Sequence, residues 1–205
     1  MPKRKHQLDL FAFSEPLSVE ARYWIGFLLA DGCIADSESY PRVCLSLKFT
    51  DSEHVKRFAR FVHISEESIK CDAVRKGYGA RLRFIGRELI PQLAKYGVVP
   101  RKSLIASVHP DLANDRDFWR GLIDGDGCVG KNAGYNCVRL CGSLRVVESF
   151  RELCFARTGI RPALTPSPPI FCTGLTGFKA TKLLEWLYYP GALALERKAL
   201  AWTRA

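Results

Sequence analysis

The chain has 205 residues, 47% of them hydrophobic, so it is long enough to bury a core of its own. Its 31 lysines and arginines outnumber its 21 acidic residues and leave a formal net charge of +10, which favours a polyanionic partner such as nucleic acid. No apolar run approaches the roughly 20 residues of a membrane span, and the chain does not open with a signal-peptide pattern, so we expect a soluble, intracellular protein without a membrane partner.

Residues 1–18 are predicted to form a basic N-terminal arm. The opening Met-Pro-Lys-Arg-Lys-His could touch phosphate or act as a localisation signal, although a solvated tail is the favoured interpretation.

An internal repeat organises the rest of the chain. Residues 22–34 read Arg-Tyr-Trp-Ile-Gly-Phe-Leu-Leu-Ala-Asp-Gly-Cys-Ile, and residues 117–129 read Asp-Phe-Trp-Arg-Gly-Leu-Ile-Asp-Gly-Asp-Gly-Cys-Val. Trp, Gly, Asp, Gly and Cys coincide, and similar predicted elements follow each copy. The sequence therefore predicts one structural unit, duplicated into a first half over 19–100 and a second half over 117–205, with a linker over 101–116.

In the first half, the motif helix is followed by a strand in which Val43, Leu45, Leu47 and Phe49 alternate with Arg42, Cys44, Ser46 and Lys48, the pattern of a strand with one buried face. The remaining predicted elements are a helix over 51–63, a hairpin over 68–86 with Lys76-Gly77-Tyr78-Gly79 as its turn, and a helix over 87–97.

The second half repeats this order, with a helix over 143–157, a proline-rich hairpin over 160–177 whose strands are expected at a sheet edge, and a helix over 178–186. The predicted fold class is α+β: two pseudo-symmetric αββαββα halves, each with an antiparallel sheet, packed through the two motif helices.

The eight cysteines include no C-x-x-C pair, and most lie in apolar or alternating stretches, which argues against a zinc site and a disulfide framework. Reduced, largely buried thiols are expected at Cys33, Cys44, Cys71, Cys128, Cys137, Cys141, Cys154 and Cys172.

Small residues one helical turn apart in each motif should let the two motif helices pack closely; they are Gly26 and Ala30, and Gly121 and Gly125. Each helix is predicted to end at a glycine in the C′ position, Gly32 or Gly127.

Asp31 and Asp126 directly precede those glycines, so two carboxylates should meet at adjacent helix ends. There they oppose the helix dipoles and each other, which favours binding of a divalent cation such as Mg²⁺. Asp124 has Leu29 as its counterpart in the first motif and is therefore interpreted as structural.

Both motifs resemble the signature of LAGLIDADG homing endonucleases, in Trp-Ile-Gly-Phe-Leu-Leu-Ala-Asp-Gly and Trp-Arg-Gly-Leu-Ile-Asp-Gly-Asp-Gly, although the first copy departs from the pattern at Trp24, Ile25, Phe27 and Leu29. The resemblance spans about residues 19–202. It implies a single-chain, monomeric endonuclease in which Asp31 and Asp126 bind the catalytic Mg²⁺, with Mn²⁺ or Ca²⁺ able to occupy the same sites.

The resemblance also implies a basic residue near each scissile phosphate, for which Lys102 and Lys198 are the candidates, with Arg101 and Arg197 as neighbours that could substitute. An exposed lysine without a role is an equal alternative. A polar residue at the active-site periphery falls on Asp51 and Ser143, and an N-cap is the favoured interpretation of Asp51.

Each sheet is expected to leave a basic face open, forming a saddle that fits the major groove of double-stranded DNA. Two such faces would span roughly two turns of duplex and read a long asymmetric site; the resemblance implies cutting across the minor groove with 3′ overhangs. The predicted DNA-binding residues are Arg42, Ser46, Lys48, Lys70, Arg81, Arg83, Lys131, Tyr135, Arg139 and Arg161.

The main alternative is a LAGLIDADG-type RNA maturase or DNA-binding regulator without cleavage activity, against which the presence of both aspartates weighs. An intein-embedded nuclease is disfavoured because the sequence opens at Met1, so a free-standing or intron-encoded protein is expected. The 19 arginines, 12 lysines and three asparagines favour a bacterial or phage-type host over an organelle.

Overall fold

The computed structural model describes residues 7–35, 39–74 and 77–203. The basic segment 1–6 and the predicted turn residue Lys76 lie outside the described residues.

The first half follows the order predicted from its sequence pattern. Its elements are α1 (Val19–Ala30), β1 (Gly32–Ala35), β2 (Arg42–Lys48), α2 (Ser52–Phe61), β3 (Lys70–Val74), β4 (Gly77–Ile85) and α3 (Leu89–Lys95). The strands form an antiparallel sheet in the order β1-β2-β4-β3.

The second half repeats this topology and adds a terminal helix. Its elements are α4 (Arg116–Asp126), β5 (Gly127–Asn132), β6 (Tyr135–Gly142), α5 (Leu144–Thr158), β7 (Thr165–Ser167), β8 (Ile170–Thr176), α6 (Gly177–Leu187) and α7 (Glu196–Thr203). The antiparallel sheet has the order β5-β6-β8-β7, so the proline-containing strand β7 lies at an edge, where a missing backbone N–H costs no ladder hydrogen bond. The predicted α+β architecture is confirmed.

Helices cover one face of each sheet and leave the other open. Val43 and Leu45 of β2 are fully buried, as are Val55 and Phe58 of α2, so α2 packs its apolar side on the first sheet. Residues that pair across strands share a face, and the alternation in β2 places Arg42, with its partner Ile85, on the opposite, open face.

The predicted arm is too long, because residues 7–18 pack against the first half. Phe13 is 1% exposed and contacts the ring of Phe61 edge to face, and its backbone N–H donates to Gln92 Oε1 at 3.2 Å. Burial of this aromatic side chain stabilises the packed conformation relative to a solvated tail.

The expectation of reduced, largely buried cysteines is wrong in two respects: Cys33, Cys71 and Cys128 are exposed, and one pair is oxidised. Cys141 on β6 and Cys172 on β8 are direct cross-strand partners and form a disulfide. The spacing of 31 residues carries no signal for this pairing, because strand register decides it.

None of the helices described is both long and apolar enough to cross a bilayer.

Candidate functional site

The two motif helices, α1 and α4, pack against each other with their backbones in contact. A Cβ atom added to Gly26 would lie 2.0 Å from the carbonyl oxygen of Phe118, and one added to Gly121 would lie 2.0 Å from that of Tyr23. These two contacts are related by the 95-residue offset of the repeat, so α1 and α4 meet about a local two-fold axis. The predicted close approach of small residues is observed.

Asp31 and Asp126 stand at the C-terminal ends of these helices. Asp31 is the residue that caps α1, and Asp126 is the last residue of α4. Gly32 occupies the predicted C′ position after the cap Asp31, whereas Gly127 is itself the C-cap of α4, with φ −81° and ψ 163°; each glycine begins a strand. Glycine is required at both positions because the backbone lies against the preceding helical turn: a Cβ at either position would lie 2.6 Å from a carbonyl oxygen of that turn.

Burial opposes ionisation of the two carboxylates, and the nearby lysines compensate for this only in part. Withdrawal of water raises the pKa of Asp31, against the opposing charges of Lys198 and Lys102. The same loss of water, followed by the negative charge of Asp31, raises the pKa of Asp126 to about 6. Both residues are accessible to solvent, and no described residue donates a hydrogen bond to either carboxylate.

Lys102 and Lys198 are buried at the ends of the motif helices, so the alternative of exposed lysines is wrong. Lys102 is 7% exposed and donates to the carbonyl oxygen of Gly32. Lys198 is 4% exposed, and its Nζ donates to the carbonyl oxygens of Ile123 (2.8 Å), Asp124 (2.6 Å), Gly125 (3.0 Å) and Gly127 (2.6 Å).

These ammonium groups satisfy the C-terminal carbonyls and oppose the negative end of each dipole. Burial lowers the pKa of Lys102, and it lowers the pKa of Lys198 to about 8. Their charges act on both Asp31 and Asp126, so the four groups form one electrostatic unit.

Asp51 does not act as the predicted N-cap. It precedes α2, but its side chain makes no capping hydrogen bond; it accepts from Nε of Arg197, in the other half, at 2.9 Å and 3.2 Å. The carboxylate is 7% exposed, so pairing with a cation is more favourable there than capping with a neutral amide.

Ser143 occupies the equivalent place in the second half and behaves differently. Its hydroxyl donates to the carbonyl oxygen of Ala106 at 2.5 Å and accepts from the backbone N–H of Val146 at 3.3 Å, which caps α5. Ser143 and Asp126 line the same depression, of about 270 Å³.

The open face of the first sheet is basic, as predicted. Strand pairing sets Ser46 opposite Arg81 and Cys44 opposite Arg83, and Lys70 opposite Arg81. The face thus carries Arg42, Ser46, Lys48, Lys70, Arg81 and Arg83. One of these charges is already paired, because Arg81 forms an ion pair with Asp72.

The second sheet brings together only two of its four predicted residues. Tyr135 and Arg139 lie on its open face. Lys131 pairs with Asn136, whose amide donates to Thr181 of α6, so Lys131 belongs to the helix-covered side. A slip of one residue along a strand exchanges faces, which explains the error.

Arg161 also lies apart from the predicted face. It precedes β7 and forms an ion pair with Glu152 of α5 at 2.6 Å. Because Arg161 lies in a loop, strand alternation does not determine which way its side chain points. Its side chain pairs with the acidic residue of the helix instead.

No protein-family model matches the sequence, and no curated protein sequence matches it either. The homing endonuclease I-WcaI, solved bound to its DNA recognition sequence, superposes with a TM-score of 0.61 over 89% of this chain and 86% of that one, at 13% identity. The I-LtrWI LAGLIDADG homing endonuclease bound to target DNA gives 0.55 over 87% of each chain at 8% identity. I-SmaMI, bound to uncleaved DNA in the presence of calcium ions, gives 0.54 over 87% and 86% at 12% identity.

This chain has the LAGLIDADG homing endonuclease fold.

Within that fold, Asp124 has the structural place assigned to it. It is fully buried and accepts hydrogen bonds from the hydroxyls of Tyr23 (2.8 Å) and Tyr188 (2.7 Å) and from the N–H of Leu195 (2.7 Å). Burial raises its pKa, and these donors oppose the shift. Tyr23 comes from the first half, so Asp124 ties the halves of the LAGLIDADG core together.

Sequence reasoning missed two further members of this core. His54 of α2 shares a 2.9 Å hydrogen bond with the Tyr23 hydroxyl, and burial lowers the pKa of His54 to about 3, so the ring is neutral at physiological pH. Arg120 is fully buried and pairs with Asp117 at 2.7 Å. The repeat offset of 95 residues could have revealed Arg120, because it aligns with the apolar Ile25. A buried arginine at that position needs polar partners that only the second half provides.

Proposed function

We propose that the protein is a site-specific DNA endonuclease that makes a double-strand break in a divalent-metal-dependent reaction. The observation that carries this proposal is the pair of aspartates, one from each half, at the ends of two helices in backbone contact. Neither carboxylate has a hydrogen-bond donor among the described residues, whereas Asp124, two positions from Asp126, has three.

The donor set fits a hard divalent cation. Asp31 and Asp126 supply carboxylate oxygens and leave room for water and phosphate oxygens, as Mg²⁺ prefers, and Mn²⁺ or Ca²⁺ can use the same ligands. Mg²⁺ at this place would activate water for attack and stabilise the leaving oxygen of a phosphodiester.

Lys102 and Lys198 contribute positive charge next to the two aspartates. Their ammonium groups are fixed on helix carbonyls, so they remain close to the carboxylates without forming ion pairs that would compete with a cation. We propose that they hold the ends of the motif helices in place and offset the negative charge of the phosphate as DNA enters.

The open faces would hold the duplex. Arg42, Lys48, Lys70 and Arg83 supply cations for phosphates and base edges in the first half, with Tyr135 and Arg139 in the second. Because the two faces carry different side chains, a single monomeric chain would read a long asymmetric target. I-WcaI and I-LtrWI, solved on their DNA targets, support this arrangement. Cutting across the minor groove, with 3′ overhangs, follows from the resemblance.

Cleavage of a randomised double-stranded DNA library in Mg²⁺ tests the proposal, with the fragment ends sequenced. The native chain should select one long site and leave 3′ overhangs. Asp31→Asn and Asp126→Asn should each lower cleavage by at least about a hundredfold while binding in Ca²⁺ persists. The matched control is Asp111→Asn, which alters an exposed carboxylate outside the site and should leave cleavage intact.

Selective binding without cutting in Mg²⁺ or Mn²⁺ would contradict the nuclease proposal. That result would favour the DNA-binding regulator, and selective binding of structured RNA over DNA would favour the maturase.

A further inference from the structure

Near the candidate site, two equivalent arginines have different surroundings in the two halves. Arg197 precedes Lys198, as Arg101 precedes Lys102. Arg197 is held through its Nε by the buried carboxylate of Asp51, across the boundary between the halves. Arg101 has a φ of 55°, is exposed, and has no described partner for its guanidinium. The place of Asp51 is taken in the second half by Ser143, which bonds to backbone.

The ion pair leaves both Nη groups of the Arg197 guanidinium available to another ligand. Asp51 occupies Nε, while no described residue accepts a hydrogen bond from either Nη atom, and half of the side chain is exposed. Asp51 and Arg197 both line a cavity of about 420 Å³ between α2 and α7. A guanidinium that is fixed at Nε presents its two Nη groups in the fork geometry that suits phosphate oxygens.

Arg197 lies beside the candidate site, since its neighbour in the chain, Lys198, donates to the carbonyl oxygen of Gly127 at 2.6 Å. The positive charge of Arg197 acts on Asp31, as does the negative charge of Asp51. The anchored guanidinium of Arg197 therefore has no anchored equivalent at the corresponding place in the first half, where Arg101 has no described partner.

We propose that Arg197 contacts a DNA backbone phosphate at the candidate site, that Asp51 is the positioning residue which fixes it, and that the strand served by Arg197 is cut first. The inference rests on the proposed endonuclease function. It adds an order to the two cuts, because an immobilised guanidinium loses less entropy on binding phosphate than the unanchored Arg101 would.

Strand-resolved cleavage under single-turnover conditions tests this order. Supercoiled plasmid carrying the target, and linear duplex labelled on either strand, are cut in Mg²⁺ by the native chain. A nicked intermediate with the nick in one strand is expected. Arg197→Ala should slow that nick by about tenfold or more, the value of a lost charge-assisted hydrogen bond, and should affect the other strand much less.

Three variants separate positioning from general damage. Asp51→Ser installs the residue of the second half and should reduce the strand preference in the same direction as Arg197→Ala. Arg197→Lys should recover part of the lost rate, because it restores the charge without the fork. Arg101→Ala, the pseudo-symmetric control, should keep the same strand as the one cut first. Thermal unfolding of each variant checks that it is folded.

A second measurement does not require cleavage. Ethylation-interference mapping of the complex in Ca²⁺ should find a phosphate whose ethylation weakens binding by the native chain but no longer weakens binding by the Arg197→Ala chain. Equal nicking rates in the native chain, or equal slowing of both strands by Arg197→Ala, would overturn the inference, as would the absence of that phosphate. Specific binding with this phosphate contact but without cutting would instead contradict the proposed function alone.

Discussion

Asp124 and Asp126 show how two carboxylates on one helix acquire different chemistry from their surroundings. Asp124 is buried and accepts hydrogen bonds from three donors, so the fold holds its carboxyl group in place. Asp126 is accessible, has no described donor, and feels the charge of Asp31. Its ionised form is therefore a cost to the folded chain that a bound cation would relieve.

That cost predicts a gain in stability when Asp126 is neutralised. Its folded pKa of about 6 lies above the ordinary value near 4, so the folded state binds the proton more tightly and loses stability as the pH rises through that interval. Asp126→Asn should raise the free energy of unfolding at pH 7.5 by about 1 kcal/mol, a value kept small by solvent screening.

Chemical denaturation in a metal chelator at pH 7.5 and pH 4 measures this effect. The gain should vanish at pH 4, where Asp126 is protonated in the folded state and increasingly so in the unfolded state. Equal destabilisation by Asp126→Asn at both pH values would show that the carboxylate is a structural partner. Added Mg²⁺ should stabilise the native chain and not the variant.

The motif helices depend on glycine for a different reason from the one that their sequence position suggests. Gly32 and Gly127 look like helix terminators, but they keep ordinary backbone angles and permit a strand to leave close to the helix end. Gly26 and Gly121 permit α1 and α4 to touch. Both effects bring Asp31 and Asp126 to adjacent helix ends.

A methyl group at Gly121 should therefore separate the two helices. Its carbon would lie 2.0 Å from the Tyr23 oxygen and 2.9 Å from the Phe27 nitrogen, both backbone atoms that cannot move aside alone. Gly121→Ala is expected to lower the free energy of unfolding by about 3 kcal/mol or more, as measured by urea denaturation.

Gly130→Ala is the matched control, because nothing lies within 4 Å of a Cβ added there. It should be neutral or slightly stabilising, since alanine loses less backbone entropy than glycine on folding. A similar loss in both variants would mean that glycine matters here for chain flexibility and not for helix contact.

Across the whole molecule, the interface between the halves is symmetric in shape and asymmetric in chemistry. Tyr23 and Asp124 form a buried polar pair on one side of the helix crossing. The positions related by the repeat are Phe118 and Leu29, both buried and apolar. Pairing two first halves or two second halves would remove the hydrogen bond between Tyr23 and Asp124, leaving Tyr23 with His54 alone and Asp124 with two donors, so the chemistry favours the unlike pair found in this chain.

The positive charge is distributed unequally as well, and this predicts how DNA binding depends on salt. Arg83 is exposed on the open face of the first sheet without a described partner, whereas Lys131 lies on the covered side of the second. Arg83→Ala should weaken binding to duplex DNA and reduce the slope of log K against log salt by about 1, while Lys131→Ala should leave the slope unchanged.

Fluorescence anisotropy in Ca²⁺, over a series of salt concentrations, measures both slopes. The two variants remove the same formal charge, so a difference between them reports position alone. Equal slopes for Arg83→Ala and Lys131→Ala would contradict the assignment of the open face as the DNA-binding surface.

Much of this architecture could be predicted from one sequence, because its signals are local or repeated. Alternation in β2 and helical periodicity in α2 depend on neighbours a few residues apart, and the motifs at 22–34 and 117–129 align without any structure. The same alignment separated Asp31 and Asp126 from Asp124, since only the first two have counterparts.

What the sequence could not reveal depends on which distant groups meet. Asp51 binds Arg197, 146 positions away, although its local context is that of an N-cap. Lys198 reaches the carbonyls of α4 from another helix, and Cys141 meets Cys172 through strand register. A charged or polar side chain takes whichever partner compensates its burial best, and only the packing of the two halves determines which partners are within reach.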